Sequence, residues 1–389
     1  MPSNRDRTKP KGRRPKQRNR PFSLLVKPAS ADCNLRCAYC FYLEKQALYS
    51  GSSVHRMSDG VLETLVRSYL GTNQPVYSFG WQGGEPTLMG TEFFRKVTDL
   101  QRRYGRSGMR VANGLQTNGT LIDDELAEHL GRYKFLVGVS IDGPREIHDY
   151  YRTAGGGSYD RVIAGIETLN RHSVEFNALV LVSRANVEAP EEVYDHLKEL
   201  GIRHHQYIPC VEADQTGWPL PWSITGEEWG EFLVRLFYRW RPRDVSRVSV
   251  RNFDAVVNRL AGQPAAVCSM ERNCSEYFVI EHNGDVYPCD FFVEGDLRLG
   301  NILEDPLGDL RTSAIYRNFA RRKSEWPREC AGCDYLAFCA GDCLKHRPGI
   351  GLPRVAREYS PVSVLCRGWK RFYTACLPEF EGLARSLGP

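Results

Sequence analysis

Cys33, Cys37 and Cys40 stand in a C-x3-C-x2-C spacing, CNLRCAYC, and three thiolates so spaced converge on one face of a metal cluster. Soft sulfur ligands select iron–sulfur clusters or zinc over hard cations. A fourth cysteine is missing nearby, and a cluster with three protein ligands keeps one metal position open for a substrate or cofactor, as catalytic zinc sites do. A zinc knuckle completed by a distant ligand is the purely structural alternative. A second group follows. Cys274, nine residues, Gly284, four residues and Cys289 lead to Cys330-x2-Cys333-x5-Cys339-x3-Cys343 and then Cys366, with Cys268 just upstream. Two structural zinc sites could use the same eight thiols. Cys210 and Cys376 belong to neither group and read as small buried hydrophobes. His282 and His346 lie near the second group but read as ordinary surface or core histidines.

These thiols need a scaffold, and the chain supplies one from Pro21 onward by alternating apolar strand-like runs with helix-like segments. Strands are predicted at 22–27, 76–81, 110–115, 135–141, 175–182 and 204–208, and helices at 58–70, with Ser58 as N-cap, 91–104, 123–130, 159–170 and 190–200. Six βα units in sequence predict a parallel sheet wrapped by helices, closing as a partial or complete barrel with active residues at the C-terminal strand ends. The first cysteine motif falls just after the first strand, and Gly83-Gly84-Glu85-Pro86 just after the second. Helices at 227–240 and 252–260 lead to cysteine-rich loops. There, 277–281 and 285–287 read as a hairpin about Asn283-Gly284, with Gly284 at positive φ, delivering Cys289 back toward a cluster. The predicted division is a basic arm (1–21), a catalytic core (22–225), a helical linker (226–267) and a cysteine-rich domain (268–389).

Composition narrows the setting. With 389 residues and 42% hydrophobic content the chain can bury a large core. It has no run of about 18 apolar residues and no apolar segment after its basic start, so neither a membrane span nor a secretory signal is indicated, and cytoplasm is the expected location. Thirteen cysteines in a reducing compartment point to metal binding or catalysis, and the odd count argues against a disulfide framework. The net charge of +5 is unevenly divided: residues 1–22 carry +8 and the body −3. The arm, rich in proline and nearly without apolar residues, is expected to be a disordered, solvated tail, and binding of nucleic acid is not expected of it.

CNLRCAYC followed by Phe41-Tyr42 resembles the signature of the radical S-adenosylmethionine superfamily, and Gly83-Gly84-Glu85-Pro86 resembles its GGEP segment, whose backbone holds the amino group of the methionine moiety. The downstream cysteines resemble the SPASM extension, which binds two further [4Fe–4S] clusters. That resemblance assigns Cys268, Cys274, Cys289 and Cys343 to a nearer auxiliary cluster and Cys330, Cys333, Cys339 and Cys366 to a farther one. Within this group the chain is most similar to the anaerobic sulfatase-maturating enzymes, from about Phe22 to Cys376. The segments KPASADCNLRCAYCFYL, WQGGEPTL, QTNGTLID, VGVSIDGPREIHDYYR, QYIPC and YPCDFF carry the likeness.

Those enzymes oxidise a Cys or Ser of an unfolded or nascent sulfatase to Cα-formylglycine. The resemblance therefore implies a partial (β/α)6 barrel with a SPASM extension, three [4Fe–4S] clusters, and S-adenosylmethionine as cofactors. It implies that Tyr42, Gln82, Ser140 and Arg161 line the cofactor and substrate site with Gly83, Gly84 and Glu85, and that Asp290 accepts a proton. A 5′-deoxyadenosyl radical would take a hydrogen from the target β-carbon, and the auxiliary clusters would take the second electron. The implied partners are a sulfatase polypeptide and a low-potential electron donor such as flavodoxin or ferredoxin. Two rival readings stand beside this one. A radical maturase that crosslinks or epimerises a ribosomal peptide would use the same scaffold, although an arm of about 22 residues is short for a peptide-recognition domain. A zinc-stabilised module binding nucleic acid through the arm would show steep salt dependence.

Overall fold

The computed structural model describes residues 21–153, 155–353 and 361–386. Apart from Pro21, the basic arm lies outside the described residues.

Strands β1 (Ser23–Lys27), β2 (Tyr77–Trp81), β3 (Val111–Thr117), β4 (Leu136–Ser140), β5 (Phe176–Val182) and β6 (His204–Pro209) form consecutive parallel pairs. Between them run α1 (Asp59–Leu70), α2 (Thr91–Tyr104), α3 (Asp124–Arg132), the pair α4 (Arg145–Tyr151) and α5 (Tyr159–Arg171), and α6 (Pro190–Glu199). Ends are fixed locally: the Ser58 and Asp123 side chains accept from the third residue on, at Val61 and Leu126. The six predicted βα units are all present.

Alternation sets the two faces of the sheet. Leu24 and Val26, Phe79 and Trp81, and Val137 and Val139 turn into the helical layer and are essentially fully buried. Between them, Ser78, Gly80, Ala112 and Gly114 occupy the opposite face, where their small size leaves open space.

After α7 (Gly226–Trp240), a two-residue strand β7 (Ser249–Val250) joins β6, and α8 (Arg251–Leu260) follows. The chain then returns to the far edge. β8 (Tyr277–Glu281) pairs parallel with β1, setting Lys27 opposite Glu281, and turns at Gly284 (φ 91°) into antiparallel β9 (Asp285–Tyr287), with β10 (Gly300–Asn301) beyond. The sheet thus runs β10-β9-β8-β1-β2-β3-β4-β5-β6-β7, and among the described residues nothing pairs β7 with β10. The predicted hairpin exists and extends the sheet of the core. The C-terminal helix, Cys366–Ser386, packs on α7 so closely that a Cβ at Gly368 would lie 1.9 Å from the Gly226 carbonyl oxygen.

Candidate active site

The C-terminal ends of β1 to β6 surround a cavity of about 230 Å³ whose wall includes Cys33, Cys37, Cys40, Tyr42, Gln82, Gly83, Gly84, Ser140 and Asp290. These residues, drawn from four separate segments of the sequence, therefore meet in one place, at the strand ends where barrel enzymes keep their chemistry.

The cysteine loop is pinned on both sides. Arg36 N and Ala38 N donate to Thr153 O and Tyr151 O at 2.9 and 3.0 Å. Asn34 bonds the end of β3, donating to Thr120 Oγ1 at 2.9 Å and accepting from Asn118 Nδ2 at 2.8 Å. Leu35 N points at Cys33 Sγ, 3.3 Å away. Burial pushes the Cys33 thiol up to about 12 and raises Cys37, against the pull of nearby Arg152. Thiols desolvated as Cys33 and Cys37 are become thiolates beside strong positive charge, which the iron of a cluster supplies. The donor set fits an iron–sulfur cluster with an open position.

Gly83 and Gly84 serve as a point of backbone contact with the β1 loop. Gly84 N donates to Ser30 O and Glu85 N to Asp32 O, both at 2.7 Å, and a Cβ on Gly84 would lie 2.0 Å from Asp32 O. Glu85 is fully buried and turned away from the cavity. Its carboxylate accepts from Thr87 N, Thr87 Oγ1, Thr117 Oγ1 and Asn118 N at 2.6–3.0 Å, so the side chain fastens β2 to β3.

Glu85 is thus off the cavity wall, and a second expected residue is not brought in either. Arg161 stands exposed on the first turn of α5, because Val162, Gly165, Ile166 and Leu169 form that helix's buried face. The arginine on the cavity wall is Arg152, which donates to Tyr39 Oη at 2.8 Å and lies 3.8 Å from Asp142. Tyr39 in turn donates to Asp142. Arg152 ends the quoted segment VGVSIDGPREIHDYYR, nine residues before the position expected to do its work.

Asp290 is held from two strands. Gln82 Nε2 donates to its Oδ2 at 2.8 Å, and Lys27 forms an ion pair with its Oδ1. The Lys27 ammonium also sits 4.0 Å from the Tyr42 ring centroid, while Tyr42 Oη donates to the buried Glu281. The motifs assign neither Lys27 nor Glu281 a place in the site. A lysine closing an apolar run, SLLVK, was the available signal.

The remaining thiols gather as two quartets. Cys268, Cys274, Cys289 and Cys343 line one cavity together with Lys323, and Cys330, Cys333, Cys339 and Cys366 line another. Burial raises Cys274 to about 11 and Cys339 to about 12. Lys323, itself buried, donates to the carbonyls of Ser269 and Asp342, each beside a cysteine of the first quartet. The eight thiols named by the resemblance lie together four and four, along the division that the resemblance implies. Cys210 and Cys376 are buried apart from both. His346 lies against Asp342 at 2.8 Å, a structural contact.

A parallel sheet with helices, a three-thiol cavity at its strand ends and two thiol quartets beyond define a radical S-adenosylmethionine enzyme with a further iron–sulfur domain. The chain matches the Radical SAM superfamily over residues 28–197 and the SPASM iron–sulfur cluster-binding domain over 268–334. It is 36% identical to the serine-type anaerobic sulfatase-maturating enzyme of Bacteroides thetaiotaomicron, over 95% of this chain and 92% of that one. It is 35% identical to the cysteine-type enzyme of Clostridium perfringens, over 94% and 99%. A solved structure of native anSMEcpe with bound AdoMet and the Cp18Cys peptide superposes with a TM-score of 0.86, at 35% identity over 94% of this chain and all of that one. The chain belongs to the family of anaerobic sulfatase-maturating enzymes.

Proposed function

We propose that this enzyme oxidises a Cys or Ser side chain of a sulfatase polypeptide to Cα-formylglycine by radical hydrogen abstraction. The observation that carries the reading is the cavity itself, where the three-thiol loop, the Gly83-Gly84 turn and Asp290 line one wall-to-wall space.

In this reading Cys33, Cys37 and Cys40 hold the catalytic cluster, and each quartet holds one auxiliary [4Fe–4S] cluster. The backbone at Gly83-Gly84, with Ser140 and Arg152 facing it, receives S-adenosylmethionine; the guanidinium suits its carboxylate. When bound, these groups supply the hydrogen-abstracting radical and a sink for the second electron. The protein's own part is positional and acid–base. Asp290, fixed by Gln82 and Lys27, takes the proton released from the target side chain as the carbon–heteroatom double bond forms. Tyr42 and Phe41 close the side of the cavity next to it, limiting entry of water. The division into core (22–225), linker (226–267) and auxiliary domain (268–389) follows the same assignment.

The electron comes from a low-potential carrier of the flavodoxin or ferredoxin kind. All thirteen cysteines are unpaired, which suits a reducing cytoplasm, and no helix among the described residues is long and apolar enough to cross a membrane.

The test is anaerobic incubation of the iron-loaded, reduced enzyme with S-adenosylmethionine and peptides carrying CxPxR or SxPxR, since serine-type and cysteine-type relatives match at similar identity. The expected products are 5′-deoxyadenosine and a peptide lighter by about 18 Da for Cys or about 2 Da for Ser. Asp290→Asn should still form 5′-deoxyadenosine yet lose most formylglycine. Untouched peptides beside abundant 5′-deoxyadenosine would move the substrate to the crosslinking class.

A further inference from the structure

We infer that Lys27 is a positioning residue for the oxidation step, holding Asp290 so that one carboxylate oxygen is committed and the other faces the substrate. The inference rests on the assignment of Asp290 as proton acceptor and adds the group that acts through it.

Four observations converge. Lys27 ends β1 and is only 1% exposed, an unusual place for an ammonium unless a partner compensates its lost hydration. Its stem lies along the glycine turn, with Cδ 3.3 Å from where a Cβ on Gly83 would be, so the side chain has a fixed track. Its ammonium is caught between the Asp290 carboxylate and the face of the Tyr42 ring. Tyr42 is in turn anchored through its hydroxyl to Glu281, the residue opposite Lys27 in the β1–β8 pairing.

The two oxygens of Asp290 are thereby made unequal. Oδ1 is buried against the Lys27 ammonium, whereas Oδ2 accepts one hydrogen bond, from Gln82, and belongs to a side chain that is still partly exposed. With Oδ1 committed to Lys27, Oδ2 keeps a second lone pair available for an incoming proton. Lys27 also ties the acceptor, which arrives from the auxiliary domain, to the first strand of the core. Without it the carboxylate would be fixed at one oxygen only and could rotate away from the target side chain.

The experiment uses the iron-loaded enzyme in a double-mutant cycle of Lys27→Met and Asp290→Asn, reading the ratio of 5′-deoxyadenosine to formylglycine together with kcat and KM for the peptide. Lys27→Met is expected to raise that ratio and lower kcat for formylglycine by about tenfold or more, with peptide KM and iron content unchanged. The double variant is expected to be no worse than Asp290→Asn alone, because both substitutions remove one unit of function. Lys27→Gln, which retains a donor without charge, should fall in between. Losses that multiply in the double variant, an unchanged ratio in Lys27→Met, or iron loss in both lysine variants would each overturn the role. If Asp290→Asn alone leaves formylglycine formation intact, the acceptor assignment itself falls, whatever the lysine variants do.

Discussion

Gln82, at the end of β2, reaches Asp290, on the turn after the β8–β9 hairpin, through a hydrogen bond of 2.8 Å. The bond joins the second parallel unit of the core to the segment between the auxiliary cysteines, and it exists because β8 lies against β1 in the same sheet. A hydrogen bond to a charged group is worth about 1.5–3 kcal/mol. Gln82→Leu should therefore slow formylglycine formation by roughly tenfold to a hundredfold, with 5′-deoxyadenosine still released. Steady-state rates of both products decide it, and a variant as fast as wild type would show that the bond does not orient Asp290 during turnover.

Gly84 sits where two backbones touch, and Gly60 does not. An alanine at 84 would bring its Cβ to 2.0 Å from Asp32 O, so the β1 loop and the glycine turn must part by about 1 Å and strain their paired hydrogen bonds. Overpacking of this kind costs about 1–3 kcal/mol, and here it lands on the loop next to Cys33. Gly60, exposed on α1, has nothing within 4 Å of its would-be Cβ, and Gly→Ala there should stabilise by about 0.4–1 kcal/mol. Thermal melts of the two variants should move in opposite directions, and Gly84→Ala should also lose cleavage of S-adenosylmethionine. Equal Tm values would refute the contact.

Much of this arrangement was legible in the sequence, and the misses have physical causes. The positions of β1 to β6 are legible to within about two residues because short strand-like runs alternate with helix-like segments, two of which open on a capping Ser58 or Asp123, and the hairpin is legible because its turn takes Gly284 at positive φ. The pairing of β8 with β1 is different. It joins residues about 250 positions apart, and no local pattern encodes which strand edge a hairpin will seek. Lys27 and Glu281 were missed for that reason, since each acquires its meaning only from the other's side of the pairing. Arg161 was expected in the site through resemblance alone, whereas the helical period of α5 turns it outward and leaves Arg152, in the loop before, to face the cavity.

Iron content tests the assignment of the thiols. If the three groups each hold a four-iron cluster, the reconstituted enzyme should contain about twelve irons per chain. Replacing one member of a quartet, Cys289→Ala or Cys333→Ala, should remove about four of them while leaving the others in place. Cys210→Ala and Cys376→Ala should remove none, because those side chains lie outside both quartets and are absent from the wall of the three-thiol cavity. Iron and sulfide assays with Mössbauer spectra of each variant settle the partition. Loss of iron from Cys376→Ala would mean that the farther quartet is wrongly drawn, and zinc in place of iron would return the quartets to a structural role.

Two buried histidines should make stability depend on pH near neutrality. Burial lowers His205 to about 4 and His148 to about 2, both from an ordinary value near 6.5. His148 is fixed as the neutral form: its Nδ1 accepts from Asp142 N at 3.3 Å, and its Nε2 donates to Ser158 Oγ at 3.0 Å, which itself donates to Arg152 O. His205 bridges Tyr207 Oη and Ile202 O, both at 3.1 Å. Because the folded values lie below the unfolded one, the unfolded chain takes up protons first as pH falls. The stability these groups contribute is therefore complete above about pH 6.5 and declines below it, by about 1.4 kcal/mol per pH unit for each histidine. Urea midpoints measured anaerobically at about pH 7.5 and about pH 5.5 should fall less in His205→Gln than in wild type, by an amount close to one proton's share. An identical fall in both proteins would mean that His205 is already charged, or equally neutral, in the two states. His148 stays neutral in the folded enzyme throughout this range, so Asp142 N keeps its acceptor beside Arg152. S-adenosylmethionine affinity should therefore not pass through a histidine titration between about pH 7.5 and about pH 5.5, and a loss of affinity on acidification that His148→Gln abolishes would show the imidazole to be charged in the folded state.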